Sequence, residues 1–263
     1  MNKDIFVAII EDDLFSLNWM SLLLVRDWRT RFVSGIQNSD HLIRTLEEFP
    51  NRIDFFLIDI DSINSDFNLD FICELIHQRN SKAKVIFIGI TPNKVVFKYM
   101  RNLNCFGYIN KNEIRFSLSW AISLAAEGNY VLTRSTFDFF IHNNSILPDN
   151  KIILKGRNIF LGLTDRENEV AKLAIIFSLG RRDLADELKI SDQWCYGLVS
   201  ELYTKLGIGD ILSGEIDPSV YFGKSKVIND HYNEIITQLK TSTKARDLET
   251  LAFHLLTMPI IEE

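Results

Sequence analysis

From Ile5 to about Glu127, short runs of apolar residues alternate with longer segments whose apolar positions recur every three to four residues. The runs are IFVAII (5–10), RFVSGI (31–36), IDFFLID (53–59), KVIFIGI (84–90) and FGYI (106–109). Their near-continuous apolarity predicts parallel strands buried on both faces. The segments 16–25, 40–49, 69–78, 94–103 and 113–127 between and after them carry helical spacing. Such alternation predicts an α/β domain in which right-handed crossovers wind five strand–helix units into an open parallel sheet. Any site then belongs at the carboxyl ends of the strands.

The periodicity lapses over 128–160, where Asn143-Asn144, Pro148 and Gly156 interrupt it, so this stretch reads as a linker or irregular extension. Residues 163–208 read as wholly helical. They open on Thr164-Asp165-Arg166-Glu167, an N-cap with Glu at the third helical position, and Ser191 is a second N-cap candidate. Two amphipathic segments follow, on Val227, Ile228, Tyr232, Ile235, Ile236 and Leu239, then on Ala245, Leu248, Leu251, Ala252, Leu255 and Leu256, and predict a helical hairpin. The division expected is 1–127 (α/β), 128–160 (linker), 161–210 (all-α) and 211–263 (helical extension).

A length of 263 residues suits two modest domains, and 46% hydrophobic content supports a core in each. The net charge of −6 opposes a chain that coats nucleic acid or anionic membrane along its whole length. Cys73, Cys105 and Cys195 are odd in number and far apart, with no CxxC, so neither a disulfide framework nor a zinc site is signalled. The first apolar run is stopped by Glu11-Asp12-Asp13, too soon for a secretory leader, and no later stretch reaches membrane-spanning length. The expectation is a cytoplasmic protein without a membrane partner.

Glu11, Asp12 and Asp13 follow the first strand, Asp59 ends the third, and Lys111 lies just beyond the fifth, so the proposed sheet gathers them at one edge. Clustered carboxylates repel unless a cation intervenes, and a few oxygens with open water positions suit Mg²⁺. An aspartate there can attack a phosphoryl donor while a lysine steadies the added oxygens. Alone, Glu11-Asp12-Asp13 reads equally well as a helix cap. No Ser or His nucleophile constellation accompanies the acids, which disfavours a hydrolase.

Over residues 3–127, VAIIEDD, IDFFLID, KVIFIGIT and FGYINK resemble the receiver domains of two-component response regulators, which are flavodoxin-like folds. The resemblance implies Asp59 as phosphoacceptor, Glu11, Asp12 and Asp59 as Mg²⁺ ligands, Lys111 as the phosphate-pairing lysine and Tyr108 as the switch aromatic. It also implies a sensor histidine kinase or other phosphodonor as partner. The chain departs from the pattern in two places. Gly89 stands where receivers carry a Thr or Ser hydroxyl, and Thr91 lies roughly 6 to 7 Å further along the strand. The loop IDSINSDFN after the third strand lacks the usual Pro and Gly.

Across 163–208, LTDRENEVAKLA, RRDLADELKIS and LVSELYTKLGI resemble the helix-turn-helix of the LuxR, NarL and FixJ family. The resemblance implies an all-α output unit whose helix from about Ser191 enters the major groove of duplex DNA. Arg181, Arg182, Gln193, Tyr196 and Lys205 are the candidate DNA contacts. The chemistry is poor in cations, however: 161–210 holds nine acids against six bases, and DNA affinity rests largely on neutralising phosphates. SDQWCYGL (191–198) therefore has three readings. It is a drifted DNA reader working through a dimer, a protein-binding surface anchored by Trp194, Tyr196 and Leu198, or a patch that the extension 211–263 buries as core. Self-association into a homodimer is another use for that extension. Two functions follow: a receiver controlling a helix-turn-helix that acts on transcription, a switch more than an enzyme; or a pseudo-receiver working through protein contacts without phosphorylation or specific DNA binding.

Overall fold

The computed structural model describes residues 4–63, 67–100, 104–157, 162–217, 225–239 and 245–262. By its own contacts the chain divides into one unit of Met1–Gly156 with Ile261–Glu263, and a second of Arg157–Ile260.

The first unit follows the predicted alternation through β1 (Ile5–Ile10), α1 (Leu14–Arg26), β2 (Thr30–Ile36), α2 (Ser39–Glu48), β3 (Phe55–Asp59), α3 (Leu69–Arg79), β4 (Lys84–Gly89), α4 (Phe97–Met100) and β5 (Cys105–Asn110). Short polar side chains start the helices: Asp13, Asn38 and Asn68 accept the N–H groups of Ser16, His41 and Phe71. The predicted helix over 113–127 is split into α5 (Lys111–Ile114) and α6 (Leu118–Ala126), because Arg115 sits at φ 44° between them.

The sheet does not stop at five strands. The stretch expected to be a linker forms β6 (Tyr130–Thr133), α7 (Arg134–His142) and β7 (Lys151–Arg157), and the chain's last strand, β8 (Pro259–Glu262), joins them. The order is β2-β1-β3-β4-β5-β6-β7-β8. Three of the breakers that suggested a linker lie at the α7–β7 connection, where Asn143 caps the end of α7, Asn144 follows it and Pro148 comes five residues after the cap, while Gly156 lies near the end of β7 at φ 98°.

One face of the sheet packs Ala8, Ile10, Phe56, Ile58, Phe87, Tyr108 and Leu132 against Leu42, Leu46, Ile72, Ile76 and Phe140 of α2, α3 and α7. α6 packs instead with α1, where Ser119 donates to the Leu23 carbonyl at 2.9 Å. The step from β5 to β6 thus runs in the same direction as β3 to β4 and β6 to β7, but its helix lies on the opposite face. It has the opposite hand to those crossovers, where nearly all such connections are right-handed.

A close approach lets β6 dock. A Cβ on Gly107 of β5 would stand 2.3 Å from the Val131 carbonyl oxygen. Two threonines complete the join: Thr136 Oγ1 donates to the Tyr108 carbonyl (2.7 Å), and Asn110 N–H donates to Thr133 Oγ1 (2.9 Å).

The second unit holds α8 (Asp165–Ala171) running into a π-helical turn (Lys172–Ile176), then α9 (Arg181–Leu188), α10 (Asp192–Lys205) and α11 (Ile208–Ser213). The expected hairpin follows as α12 (Lys226–Leu239) and α13 (Ala245–Thr257). Thr164 and Glu167 form the anticipated capping box, and Ser191 accepts the Trp194 N–H. Val170, Ala174, Leu184, Leu188, Cys195, Val199 and Leu202 fill the core. The hairpin packs on α11 and, through α13, on the π turn.

Gly107→Ala will force β6 away from β5. We expect a loss of about 1–3 kcal/mol or more in chemical denaturation, whereas Gly209→Ala, in α11 with nothing within 4 Å of its Cβ, will raise stability by up to about 1 kcal/mol.

Candidate functional site

The carboxyl ends of β1 and β3 and the residue after β5 converge as predicted for three side chains. Lys111 Nζ lies 2.6 Å from Glu11 Oε2 and 2.6 Å from Asp59 Oδ2. Both carboxylates are sealed from solvent at 1% exposure, while the lysine side chain keeps 12%. Parallel registers bring these distant residues together: Ile10 pairs with Ile58, Asp59 with Ile88, and Gly89 with Asn110.

Sequence reasoning missed a fourth member. Ser62 Oγ stands 2.7 Å from Glu11 Oε1 and 2.9 Å from Asp59 Oδ2, and it accepts the Asp12 N–H at 3.2 Å. Its signal is a hydroxyl three residues after Asp59 in a turn rich in Ser, Asp and Asn, where such side chains bond locally. Asp12 itself is exposed, and it is the backbone N–H that reaches the cluster.

Burial pushes the Asp59 carboxyl up to about 6, Lys111 offsetting part of that rise and the Glu11 charge adding to it. Burial acts on Glu11 too, but hydrogen bonds from Lys111, Ser16 and Ser62 outweigh it and bring its pKa down to about 2. Burial alone would lower the Lys111 pKa; the two carboxylates raise it instead. The hydrogen bonds agree with this order. Ser62 has one proton for two carboxylate contacts, so its bond to Asp59 is completed best when Asp59 carries a proton.

Of the three expected Mg²⁺ ligands, this arrangement brings Glu11 and Asp59 together and leaves Asp12 outside. The ammonium of Lys111 stands between the two carboxylates, Ser62 engages a further oxygen of Glu11, and Asp12 lies outside. No group of three acidic, His or Cys side chains converges to hold a metal among the described residues.

The positions that the resemblance marked as a switch, Gly89 and Tyr108, are held by packing and hydrogen bonds. A Cβ at Gly89 would lie 2.7 Å from Ile60 Cγ1, so a hydrocarbon side chain packs where receivers place a hydroxyl. Tyr108 is fully buried, accepting the Asn93 N–H at 2.8 Å and donating to the Thr91 carbonyl at 3.4 Å. Asp61 accepts the Ile90 N–H, and Asn110 donates to the Ile90 carbonyl. The loop after β4 is thereby held from three sides.

In the second unit, α10 leaves Gln193, Trp194 and Tyr196 exposed and Leu198 half-buried. Trp194 and Tyr196 retain 60% and 61% of their surface, so the reading in which the extension buries them is overturned: the hairpin's apolar face is spent on α11 and the π turn. Lys205 pairs with Glu167 and, at 3.4 Å, with Glu201. Arg182 is exposed and Arg181 half-buried at the start of α9. Arg166 donates to the Leu188 carbonyl at 3.0 Å and so ties α8 to the end of α9.

No family model matches the chain, and no curated protein matches it. Similar solved structures include the isolated REC domain of RcsB from Salmonella enterica serovar Typhimurium in the presence of phosphomimetic BeF3⁻ (15% identity, TM-score 0.45, covering 52% of this chain and 98% of that one). A two-component response regulator RcsB–DNA complex is similar at 16% identity and TM-score 0.47, over 78% and 93% of the two chains. The response regulator ChrA of a heme-sensing two-component system is similar at 17% and 0.40, over 78% and 90%. At these levels none of the likenesses assigns chemistry to a residue of this chain. No helix among the described residues is long and apolar enough to cross a membrane.

An acid with a raised pKa takes its proton first in the folded state, so the Asp59 contribution to stability declines as pH rises through the interval from 3.8 to about 6. Asp59→Asn removes that penalty. We expect it to stabilise the protein by about 1–3 kcal/mol at pH 8 in denaturant titrations, with the gain fading by pH 4.5. The Glu11 contribution has the opposite sign and is lost as pH falls from 4.5 toward about 2.

Proposed function

We propose that this chain is a response-regulator-like signalling protein in which the state of the Asp59 cluster governs a helix-turn-helix unit that acts on transcription through α10. The observation that supports this most directly is the meeting of Glu11, Asp59 and Lys111 at one sheet edge, from three remote parts of the chain, at 2.6 Å. A nucleophilic carboxylate beside an ammonium is the equipment of a phosphoryl acceptor, with Asp59 as the attacking group and Lys111 as the partner of the added oxygens. Modification of Asp59 at Oδ2 would break its bonds to Lys111 and Ser62 and switch the cluster between two arrangements. Asp59 must also be ionised to attack, which places the acceptor's working range above about pH 6.

A second reading is favoured by specific observations: the occluded Asp59, the hydrocarbon packing at Gly89, the ion-paired Lys205 and the exposed Trp194 and Tyr196. It makes the chain a pseudo-receiver regulator that acts through protein contacts.

Two measurements separate the readings. Under the first, a small phosphodonor labels the protein above pH 7 and Asp59→Ala abolishes the label. Duplex DNA then binds with affinity that falls steeply with salt, and Arg182→Ala lowers the log–log slope by about 1. No label, together with no duplex binding at low salt, establishes the second.

A further inference from the structure

Asp59 stands at the carboxyl end of β3; at the amino ends of the parallel strands β5 and β6 the same unit contains a cavity of about 390 Å³. Cys105 and Tyr130, the first residues of those strands, line it together with Met100 at the end of α4 and Ile146, Leu147 and Pro148 of the α7–β7 connection. Every one of these residues belongs to the first unit. The surroundings are held from within that unit. Phe97 of α4 stacks on Phe139 of α7 with ring centroids 5.2 Å apart, Ser145 N–H donates to the Phe140 carbonyl at 3.0 Å, and Tyr130 N–H donates to the Asn150 carbonyl at 2.9 Å. A cavity so framed is largely preformed, as small-molecule sites usually are.

The lining sets the chemistry of what fits. Four of the six side chains are hydrocarbon or thioether, and the other two are a thiol and a phenol. Burial keeps both of those protonated, pushing the Cys105 thiol up to about 11 and the Tyr130 hydroxyl well above its ordinary value. With no charged side chain in the lining, a charged guest would lose its hydration without compensation. The hydroxyl is the underused group. Tyr130 is only 4% exposed, and among the described residues its hydroxyl has one hydrogen-bond partner, Cys105 Sγ at 3.8 Å. That sulfur also lies 3.6 Å from the Gly107 carbonyl, so one thiol proton serves two neighbours. Sulfur is a weak donor and a weak acceptor, which leaves a buried phenol short of a full hydrogen bond. Size follows from volume. An apolar cavity of about 150 Å³ accepts benzene, so one of about 390 Å³ accepts roughly ten to fifteen heavy atoms.

We propose that this cavity binds a neutral, mainly hydrocarbon small molecule of that size carrying one hydroxyl, which completes the hydrogen bonding of Tyr130 while the hydrocarbon part covers Met100, Ile146 and Leu147. The site requires neither phosphorylation of Asp59 nor DNA binding by α10, so it stands apart from both readings of the function.

Equilibrium dialysis of the full-length chain against naphthol, its parent naphthalene and the anion naphthoate tests the site. Naphthol is expected to bind in the micromolar to millimolar range, and naphthoate at least about tenfold more weakly because its carboxylate meets no cation. Tyr130→Phe is expected to weaken naphthol roughly threefold to tenfold, the range of one neutral hydrogen bond, and to leave naphthalene unchanged. Ile146 keeps 84% of its surface, so Ile146→Asp leaves the core intact; by putting a carboxylate at the rim it is expected to weaken naphthol and naphthalene alike, at least about threefold. Near-ultraviolet circular dichroism identical to wild type verifies the fold of both variants. The site is overturned if naphthol does not bind, if naphthoate binds as tightly as naphthol, if Tyr130→Phe fails to separate naphthol from naphthalene, or if Ile146→Asp binds both as the wild type does.

Discussion

The Lys111 ammonium, held between two buried carboxylates, is the constraint on which the rest of the first unit turns. Without it, Glu11 and Asp59 would be like charges in a sealed site, an arrangement that costs several kcal/mol when one partner of a buried ion pair is removed. With it, the ends of β1 and β3 are tied to the start of α5, and the carboxyl edge of the sheet becomes one electrostatic object. Ser62 extends that object into the loop after β3. The division of labour between the acids follows. Glu11 keeps its charge under three donor hydrogen bonds, and Asp59 receives the first proton.

This arrangement explains why two features of the first unit stand together. Lys111 bridges Glu11 and Asp59, and Asp12 is left in solvent. A β4 end packed with Ile60 has no place for a hydroxyl, and the following loop is held instead by Tyr108, Asp61 and Asn110. A change at Asp59 Oδ2 acts directly on Lys111 and Ser62, whereas Oδ1 meets the backbone of Asp61, whose side chain holds the loop after β4.

Strands β1 to β5 were legible because each is a run of mainly apolar residues, most fully buried in β3 and β4, and the helix starts at Thr164 and Ser191 because such caps are local chemistry. The meeting of Glu11, Asp59 and Lys111 was legible because strand ends in a parallel sheet share an edge. Ser62 was not, since a serine in a polar loop looks like any turn residue until the loop's path is known. Two of the three added strands, β6 and β8, were not legible for a different reason. YVLT and PIIE are four residues each, too short to show a period, and their pairing depends on partners far away in sequence. The unusual hand of the β5–β6 crossover removes even the topological rule that would have guided the guess. On α10, the core positions identified a scaffold, but the surface of a helix answers to a ligand that the chain does not contain, so Trp194 and Tyr196 could be read three ways until their exposure was known.

Gly107 gives this fold a diagnostic that can be used without coordinates. The absent side chain at that position admits a sixth strand, and the hydroxyls of Thr133 and Thr136 fasten it. A related chain bearing any larger residue there must either hold its next strand further off or end its sheet at the fifth. Co-occurrence of that glycine with the two downstream threonines would therefore sort wide-sheet proteins from ordinary five-stranded ones by inspection of their sequences.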